Sequence, residues 1–278
     1  MFISGTDGAD TLRGTDGQDE LFGGAGDDLL IGGEGNDRFH GGEGRDTLVL
    51  DGDAGSHVHM HDPAAWYGGA WGEIWSREAE GPGEDDLFFS IEVLVGSRFG
   101  DVVFGSSEDN RLEGGDGEDI LRGGGGNDTL QGNRGNDDIE GGTGADVISG
   151  GSGDDDVAGD EGNDALFGDV GGDRLEGGDG HDRLTGGAGR DELWGGAGRD
   201  RFIFGVRGDL PGESDTIRDF EAGDRLDVAA WAPREVLLAD RPFEGVEVSL
   251  VTEAGTFAVA LIRDWSAERL SALDWLVA

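Results

Sequence analysis

Residues 177–203 read GGDGHDRLT, GGAGRDELW and GGAGRDRFI, three nonapeptides with Gly at positions 1 and 4, Asp at position 6 and an apolar side chain at position 8. Stepping back by nine carries the pattern to GSRFGDVVF at Gly96, giving twelve units that end at Ile203. A second register of five units, GTDGADTLR, GTDGQDELF, GGAGDDLLI, GGEGNDRFH and GGEGRDTLV, runs from Gly5 to Val49. Across these 17 units position 1 is always Gly, position 4 is Gly in 15, position 6 is Asp in 16, and position 8 is always Leu, Ile, Val or Phe. Acidic disordered tails need neither fixed glycines nor an apolar residue every ninth position, so the period specifies a fold.

The spacing has a physical reading. Six glycine-rich residues follow a tight turn with positive φ and direct carbonyls towards one point, while the last three form a short strand whose middle side chain, position 8, faces inward. Two units make one 18-residue coil with a turn at each edge, and coils stack as parallel strands about 4.8 Å apart. Position 6 carboxylates then align in columns. Two bare carboxylates about 5 Å apart repel by roughly 0.8 kcal/mol at bulk-water dielectric and about 3 kcal/mol at an effective value near 20, so the stack needs a counterion. A hard cation taking six to eight oxygens, such as Ca2+, suits carboxylates and carbonyls from facing turns.

With Gly-Gly-x-Gly-x-Asp-x-apolar-x repeated through about 150 residues, the chain resembles the RTX family of hemolysin-type calcium-binding repeats. The resemblance implies an all-β fold, a parallel β-roll (β-solenoid), with calcium held in the turns. The expected ligands are Asp10, Asp19, Asp28, Asp37 and Asp46 in the first block, and Asp101, Asp119, Asp128, Asp137, Asp146, Asp155, Asp164, Asp173, Asp182, Asp191 and Asp200 in the second. Backbone at the position 4 glycines joins them: Gly26, Gly35, Gly44, Gly117, Gly126, Gly135, Gly144, Gly153, Gly162, Gly171, Gly180, Gly189 and Gly198. One site for each unit and the unit two further on gives at most about 13 Ca2+. Asn110 replaces Asp at position 6, and Phe99 and Glu108 replace Gly at position 4, so sites using those turns are expected to be weak or empty.

Composition agrees. The 278 residues carry 62 acidic and 20 basic side chains, a formal charge of -42, with 58 Gly and 35% hydrophobic residues. Such a chain resists compaction until cations complete it. Nucleic acid is excluded as a partner, because no basic stripe displaces its counterions. Every basic residue is Arg; with no Lys, the acyl-lysine activation of the family's pore-forming members has no target. Cysteine is absent, which removes disulfides and thiolate chemistry. No apolar run approaches the ~18 residues of a transmembrane helix. The opening MFISGTDGAD has no charged and apolar leader pattern, so export without an N-terminal signal peptide is expected.

Four segments are expected: 1–49, the first roll block; 50–95, a β-rich insertion; 96–203, the second block; 204–278, a β-rich C-terminal cap. The stretch DDLFFSIEVLVGSRFGDVVFG, from Asp85, resembles the strand by which family members re-enter the roll. Within the insertion His57, His59 and His61 alternate, the spacing of a strand with three imidazoles on one face, readable as a zinc or copper site or as a half-exposed strand. Trp66, Tyr67, Trp71 and Trp75 read as a plug at the end of a roll or as a sugar-stacking patch. After Ile203, GESDTIRDFEAGDRLDVAAW resembles an element that follows RTX arrays; its Asp215, Asp219, Asp224 and Asp227 either add a calcium site or shape the turn. VEVSLVTEAGTFAVALI predicts a β-hairpin with Phe257, Val259 and Leu261 on one face. The closing LSALDWLVA resembles the uncleaved signal of type I secretion substrates, read by the type I secretion machinery.

Neither H-E-x-x-H nor G-x-S-x-G occurs, so no enzyme activity is expected. The expectation is an extracellular, secreted calcium-binding protein acting as a structural or binding module, with a glycan or cell-surface partner left open. The alternatives are a membrane-active, toxin-like RTX protein or the non-catalytic partner of a glycan-acting enzyme.

Overall fold

The computed structural model describes residues 1–33, 37–50, 56–61, 71–76, 85–89, 93–204, 214–228, 235–241, 245–252, 255–263 and 276–277. Among them every regular element is a strand. The period dictates the elements: Thr11–Arg13 and Thr47–Val49 each place a buried leucine between two less buried neighbours. Contacts divide the chain into two compact units, Met1–Gly141 and Gly142–Ala278.

In the first unit one face is the parallel series Thr11–Arg13, Leu29–Ile31, Thr47–Val49, Val93–Val95, Arg111–Asp116 and Thr129–Arg134. Val93–Val95 is the re-entry strand, and its Leu94 falls in register with Leu48 and Leu112. The opposite face starts with Phe2–Ser4, Glu20–Ala25 and Arg38–Glu43, all parallel. Here three further strands enter. Asp85–Phe89 pairs parallel with Arg38–Glu43, Trp71–Ser76 and Ser56–His61 follow antiparallel, and Ser56–His61 then pairs parallel with Val102–Phe104, next to Ile120–Gly125. The interruption thus widens one face by three strands while the other continues directly from Thr47–Val49 to Val93–Val95. Thr47 pairs with Val93, 46 residues on and one more than five repeats, so the repeats resume one residue out of step with the first register.

The second unit has the same construction. Val147–Ser152, Ala165–Val170, Arg183–Ala188, Arg201–Ile203, Arg225–Asp227 and Leu276–Val277 form one parallel series. Asp156–Gly162, Arg174–Gly180, Glu192–Gly198, Asp215–Ile217 and Gly255–Ile262 form the other. Gly245–Thr252 and Glu235–Arg241 then add antiparallel.

Position 8 builds the core. Leu121, Leu130, Ile139, Ile148, Val157, Leu166, Leu175, Leu184 and Leu193 are fully buried, and each contributes about 1.5–3 kcal/mol of apolar burial. The predicted hairpin is present, from Gly245–Thr252 to Gly255–Ile262. Its inward side chains include Val246, Val248, Ala260 and Ile262, whereas Leu261 is partly exposed. Ile262 pairs with Ile217, which pairs with Leu193, so the hairpin extends the same interior column. The side chains of Phe257 and Val259 lie outside the described residues.

Candidate metal-binding turns

Fifteen of the sixteen position 6 aspartates place their carboxylate inside the protein. Asp28, Asp37, Asp46, Asp101, Asp119, Asp128, Asp137, Asp146, Asp155, Asp164, Asp173, Asp182, Asp191 and Asp200 are at most 3% exposed, and Asp19 is 4% exposed. Asp10, in the first turn, is half-buried.

The aspartates form ladders through one repeated bond: the backbone N–H of one aspartate donates to Oδ1 of the aspartate 18 residues later. In the first unit this joins Asp10 to Asp28, Asp19 to Asp37, Asp28 to Asp46, Asp101 to Asp119 and Asp119 to Asp137, at 2.7–2.9 Å. In the second it joins Asp146 to Asp164, Asp155 to Asp173, Asp164 to Asp182, Asp173 to Asp191 and Asp182 to Asp200, at 2.8–3.0 Å. The other carboxylate oxygen is the unusual one. Oδ2 of Asp28, Asp119, Asp164, Asp173, Asp182 and Asp200 is buried and receives no hydrogen bond. A buried, undonated carboxylate oxygen is costly unless a cation meets it.

The electrostatics say the same. Burial, reinforced by carboxylates above and below in the column, pushes Asp119, Asp164, Asp173 and Asp200 up to about 7. Burial and the Glu118 charge push Asp137 up to about 6. Asp46 and Asp182 are raised for the same first cause, burial. Asp19 is lowered, by the N-terminal ammonium and by the Thr15 N–H and hydroxyl.

Glycine answers a steric demand at positions 1 and 4 and a conformational one at position 2. At position 1 a Cβ on Gly159, Gly177 or Gly195 would collide with Oδ2 of the aspartate in its own turn. Position 2 adopts the left-handed region in most turns, as at Gly24, Gly115, Gly151 and Gly187, and at the non-glycine Asn133, Asp160 and Asp169, with φ of 70–76°. Asn and Asp are the side chains that tolerate this region best. At position 4, Gly26, Gly44, Gly117, Gly126, Gly135, Gly144, Gly153, Gly171, Gly189 and Gly198 have positive φ. Gly162 and Gly180 stand where a Cβ would strike the carbonyl oxygen of the position 4 glycine one coil earlier. Gly35 lies outside the described residues.

One contribution escaped the sequence reading, and a second falls on residues named there without this role. Position 5 side chains accept the N–H of the residue one coil later: Asp27 from Arg45, Asp109 from Asn127, Asp154 from Gly172 and Asn163 from His181. The recurrent Asn-Asp or Asp-Asp pair at positions 5 and 6 was the available signal. Past the last repeat, Asp215 and Asp224 take over the ladder role, accepting from Asp191 and Asp200 at a spacing of 24 residues. Asp219 instead accepts the N–H groups of Gly195 and Gly196, and Asp227 pairs with Arg201. The side chains of His57, His59, His61, Trp71 and Trp75, and all of Trp66 and Tyr67, lie outside the described residues.

Among the described residues no three His, Cys, Asp or Glu side chains converge on one point. A cation between two turns would therefore complete its shell with backbone carbonyls, which Ca2+ accepts and a softer, nitrogen-seeking metal does not. The donor set, all oxygen with an undonated buried carboxylate in each of these turns, fits calcium.

A parallel β-roll of acid-lined nonapeptide turns is thus the class that fold and site define. The sequence matches the RTX calcium-binding nonapeptide repeat family at residues 4–38, 13–48, 26–56, 95–130, 131–166 and 167–202, more than half of its length, and the chain belongs to that family. The family's repeats bind calcium. No curated protein matches the chain. Among solved structures it is similar to the extracellular lipase LipA of Serratia marcescens, with 19% identity over 100% of this chain and 39% of that one, at a TM-score of 0.34. It is also similar to the AlgE6R3 subunit of the Azotobacter vinelandii mannuronan C5-epimerase, with 25% identity over 49% of this chain and 78% of that one, at a TM-score of 0.19. The chain therefore spans well under half the length of the lipase.

Proposed function

We propose that this chain is a calcium-dependent folding module that acts outside the cell as a structural or binding element, and that its position 6 aspartates are the calcium ligands. The observation that carries the reading is the buried Oδ2 of Asp28, Asp119, Asp164, Asp173, Asp182 and Asp200, held in columns with no donor. Each ion would be held by carboxylates of successive same-edge turns and by turn carbonyls. Bound calcium supplies charge compensation, and the chain's own residues supply the rest: position 8 packs the interior, position 1 glycine leaves room for the carboxylate, and the N–H ladder fixes the turn spacing.

The energetics favour a switch. At about ten times its dissociation constant each site contributes roughly 1.4 kcal/mol, so several sites together rival the stability of an ordinary domain. Extracellular modules have dissociation constants of about 0.1–1 mM, matched to millimolar calcium outside cells and far above cytosolic levels. A chain unfolded before export and folded after it follows from that gap, and supports secretion by a type I system. No catalytic role is assigned to the turns, since their carboxylates are occupied by the ladder and the ion.

Circular dichroism and size-exclusion chromatography during a calcium titration of chelator-stripped protein test the reading. A cooperative, calcium-specific gain of β-structure with compaction is expected. A compact β-protein in chelator, or equal folding in magnesium alone, would overturn it.

A further inference from the structure

The turns are of two kinds, and the difference lies at position 2. In the first two turns of each block position 2 is Thr6, Thr15, Ser97 and Ser106. There its backbone N–H donates to the position 6 side chain of the same turn: Thr6 to Oδ2 of Asp10, Thr15 to Oδ2 of Asp19, Ser97 to Oδ2 of Asp101, each at 2.6 Å, and Ser106 to Oδ1 of Asn110 at 2.7 Å. In three of the four the hydroxyl donates to the same oxygen, from Thr6 at 2.8 Å, Thr15 at 2.9 Å and Ser106 at 3.3 Å. The hydroxyl also accepts the position 4 N–H in the turns of Gly8, Phe99 and Glu108, which stitches the turn shut.

These are the donors that the equivalent oxygen lacks in the turns of Asp28, Asp119, Asp164, Asp173, Asp182 and Asp200. The departures from the repeat fall in the same place. Asn110, the one position 6 residue that is not Asp, and Phe99 and Glu108, the two position 4 residues that are not Gly, all belong to opening turns. An amide oxygen suffices where only an internal N–H and hydroxyl must be accepted.

We propose that the two opening turns of each block are cation-independent, closed by their own Thr or Ser, and that calcium uptake begins at Asp28 in the first block and Asp119 in the second. The inference rests on the calcium reading above and narrows it. Of the thirteen pairings of one turn with the turn two units on, the four that use Asp10, Asp19, Asp101 or Asn110 drop out, leaving about nine. The opening turns then serve as preformed ends from which the calcium-bound stack extends.

Calcium counted by native mass spectrometry and by equilibrium dialysis on the full chain tests this. Asp10→Asn, Asp19→Asn and Asp101→Asn each keep an acceptor oxygen for the position 2 N–H, as Asn110 does. They are expected to bind the wild-type number of ions and to shift the calcium midpoint of folding less than twofold. Asp164→Asn and Asp173→Asn are expected to lose at least one ion each. Asn110→Asp, which restores a carboxylate without removing any contact, is expected to add none. Loss of an ion in an opening-turn variant that folds in saturating calcium, or gain of one in Asn110→Asp, would overturn the proposal. A wild-type chain that takes up no calcium would instead overturn the reading on which it rests.

Discussion

The backbone N–H of Asp164 donates to Oδ1 of Asp182, 2.9 Å away, and leaves Oδ2 of Asp182 buried with no donor. One oxygen of this carboxylate therefore holds the stack together and the other opposes it. Asp182→Asn separates the two roles, because the amide oxygen still accepts the Asp164 N–H while the charge is gone. In saturating calcium the variant is expected to lose about 1–3 kcal/mol, the worth of the one or two sites that Asp182 shares with Asp164 and Asp200, read as a lower urea midpoint. In chelator it is expected to be at least as structured as the parent, since a repulsive charge has left the column. A loss in both conditions would mean that Oδ2 plays no part in cation binding.

Acidity should act in opposite senses on the two forms. The folded values of Asp119, Asp164, Asp173 and Asp200, about 7, lie above the ordinary carboxylate value of 3.8. A carboxyl raised by folding supports the metal-free fold fully below its unfolded value, and that support is lost as pH rises through the folded value. Chelator-treated protein is therefore expected to gain β-structure between pH 8 and pH 4, followed by circular dichroism. Calcium must displace the same protons, so its binding is expected to release protons at pH 7 and to weaken towards pH 5, as a pH-stat titration would record.

The glycines divide by what surrounds them. Gly189 has φ of +138°, and a Cβ there would meet the Gly171 carbonyl oxygen, whereas a Cβ on Gly172 would meet nothing closer than 3.5 Å. Gly189→Ala is expected to cost about 2–4 kcal/mol of the calcium-loaded form and Gly172→Ala less than about 1, compared by urea denaturation.

Truncating the interior column should be severe because each side chain touches its equivalents above and below. Leu175 is fully buried between Val157 and Leu193, and Leu175→Ala is expected to cost about 2–5 kcal/mol, with a raised calcium midpoint for folding.

Most of the fold was legible because the repeat writes each coil in the same nine letters. Position 8 gave the core and position 6 gave the columns. The rest depended on contacts that a period does not encode. Position 1 glycine makes room for a carboxylate five residues later in its own turn, which local turn chemistry does not reveal. The requirement at position 2 is conformational, and Asn133, Asp160 and Asp169 meet it without being glycine. Asp215 and Asp224 join the ladder at a spacing of 24 rather than 18, so a nine-residue ruler passes over them. The inward set of the hairpin follows from the pairing of Ile262 with Ile217, a long-range register.

The N–H ladder always points the same way along the chain, from an aspartate to its successor. Interrupting the second unit's ladder on its C-terminal side would strand a backbone donor, whereas interrupting it on the N-terminal side would merely uncover a carboxylate oxygen that water solvates well. Closure is therefore needed at one end more than the other, and it is there that Asp224 supplies it: its Oδ1 takes the Asp200 N–H, its Oδ2 takes the Glu221 N–H, and its own N–H turns back to the Glu221 carbonyl. The array behaves as a polar filament with a built-in terminator, so units inserted between Gly142 and Ile203 should be accommodated, while a chain cut after Ile203 should fray from the cut inward.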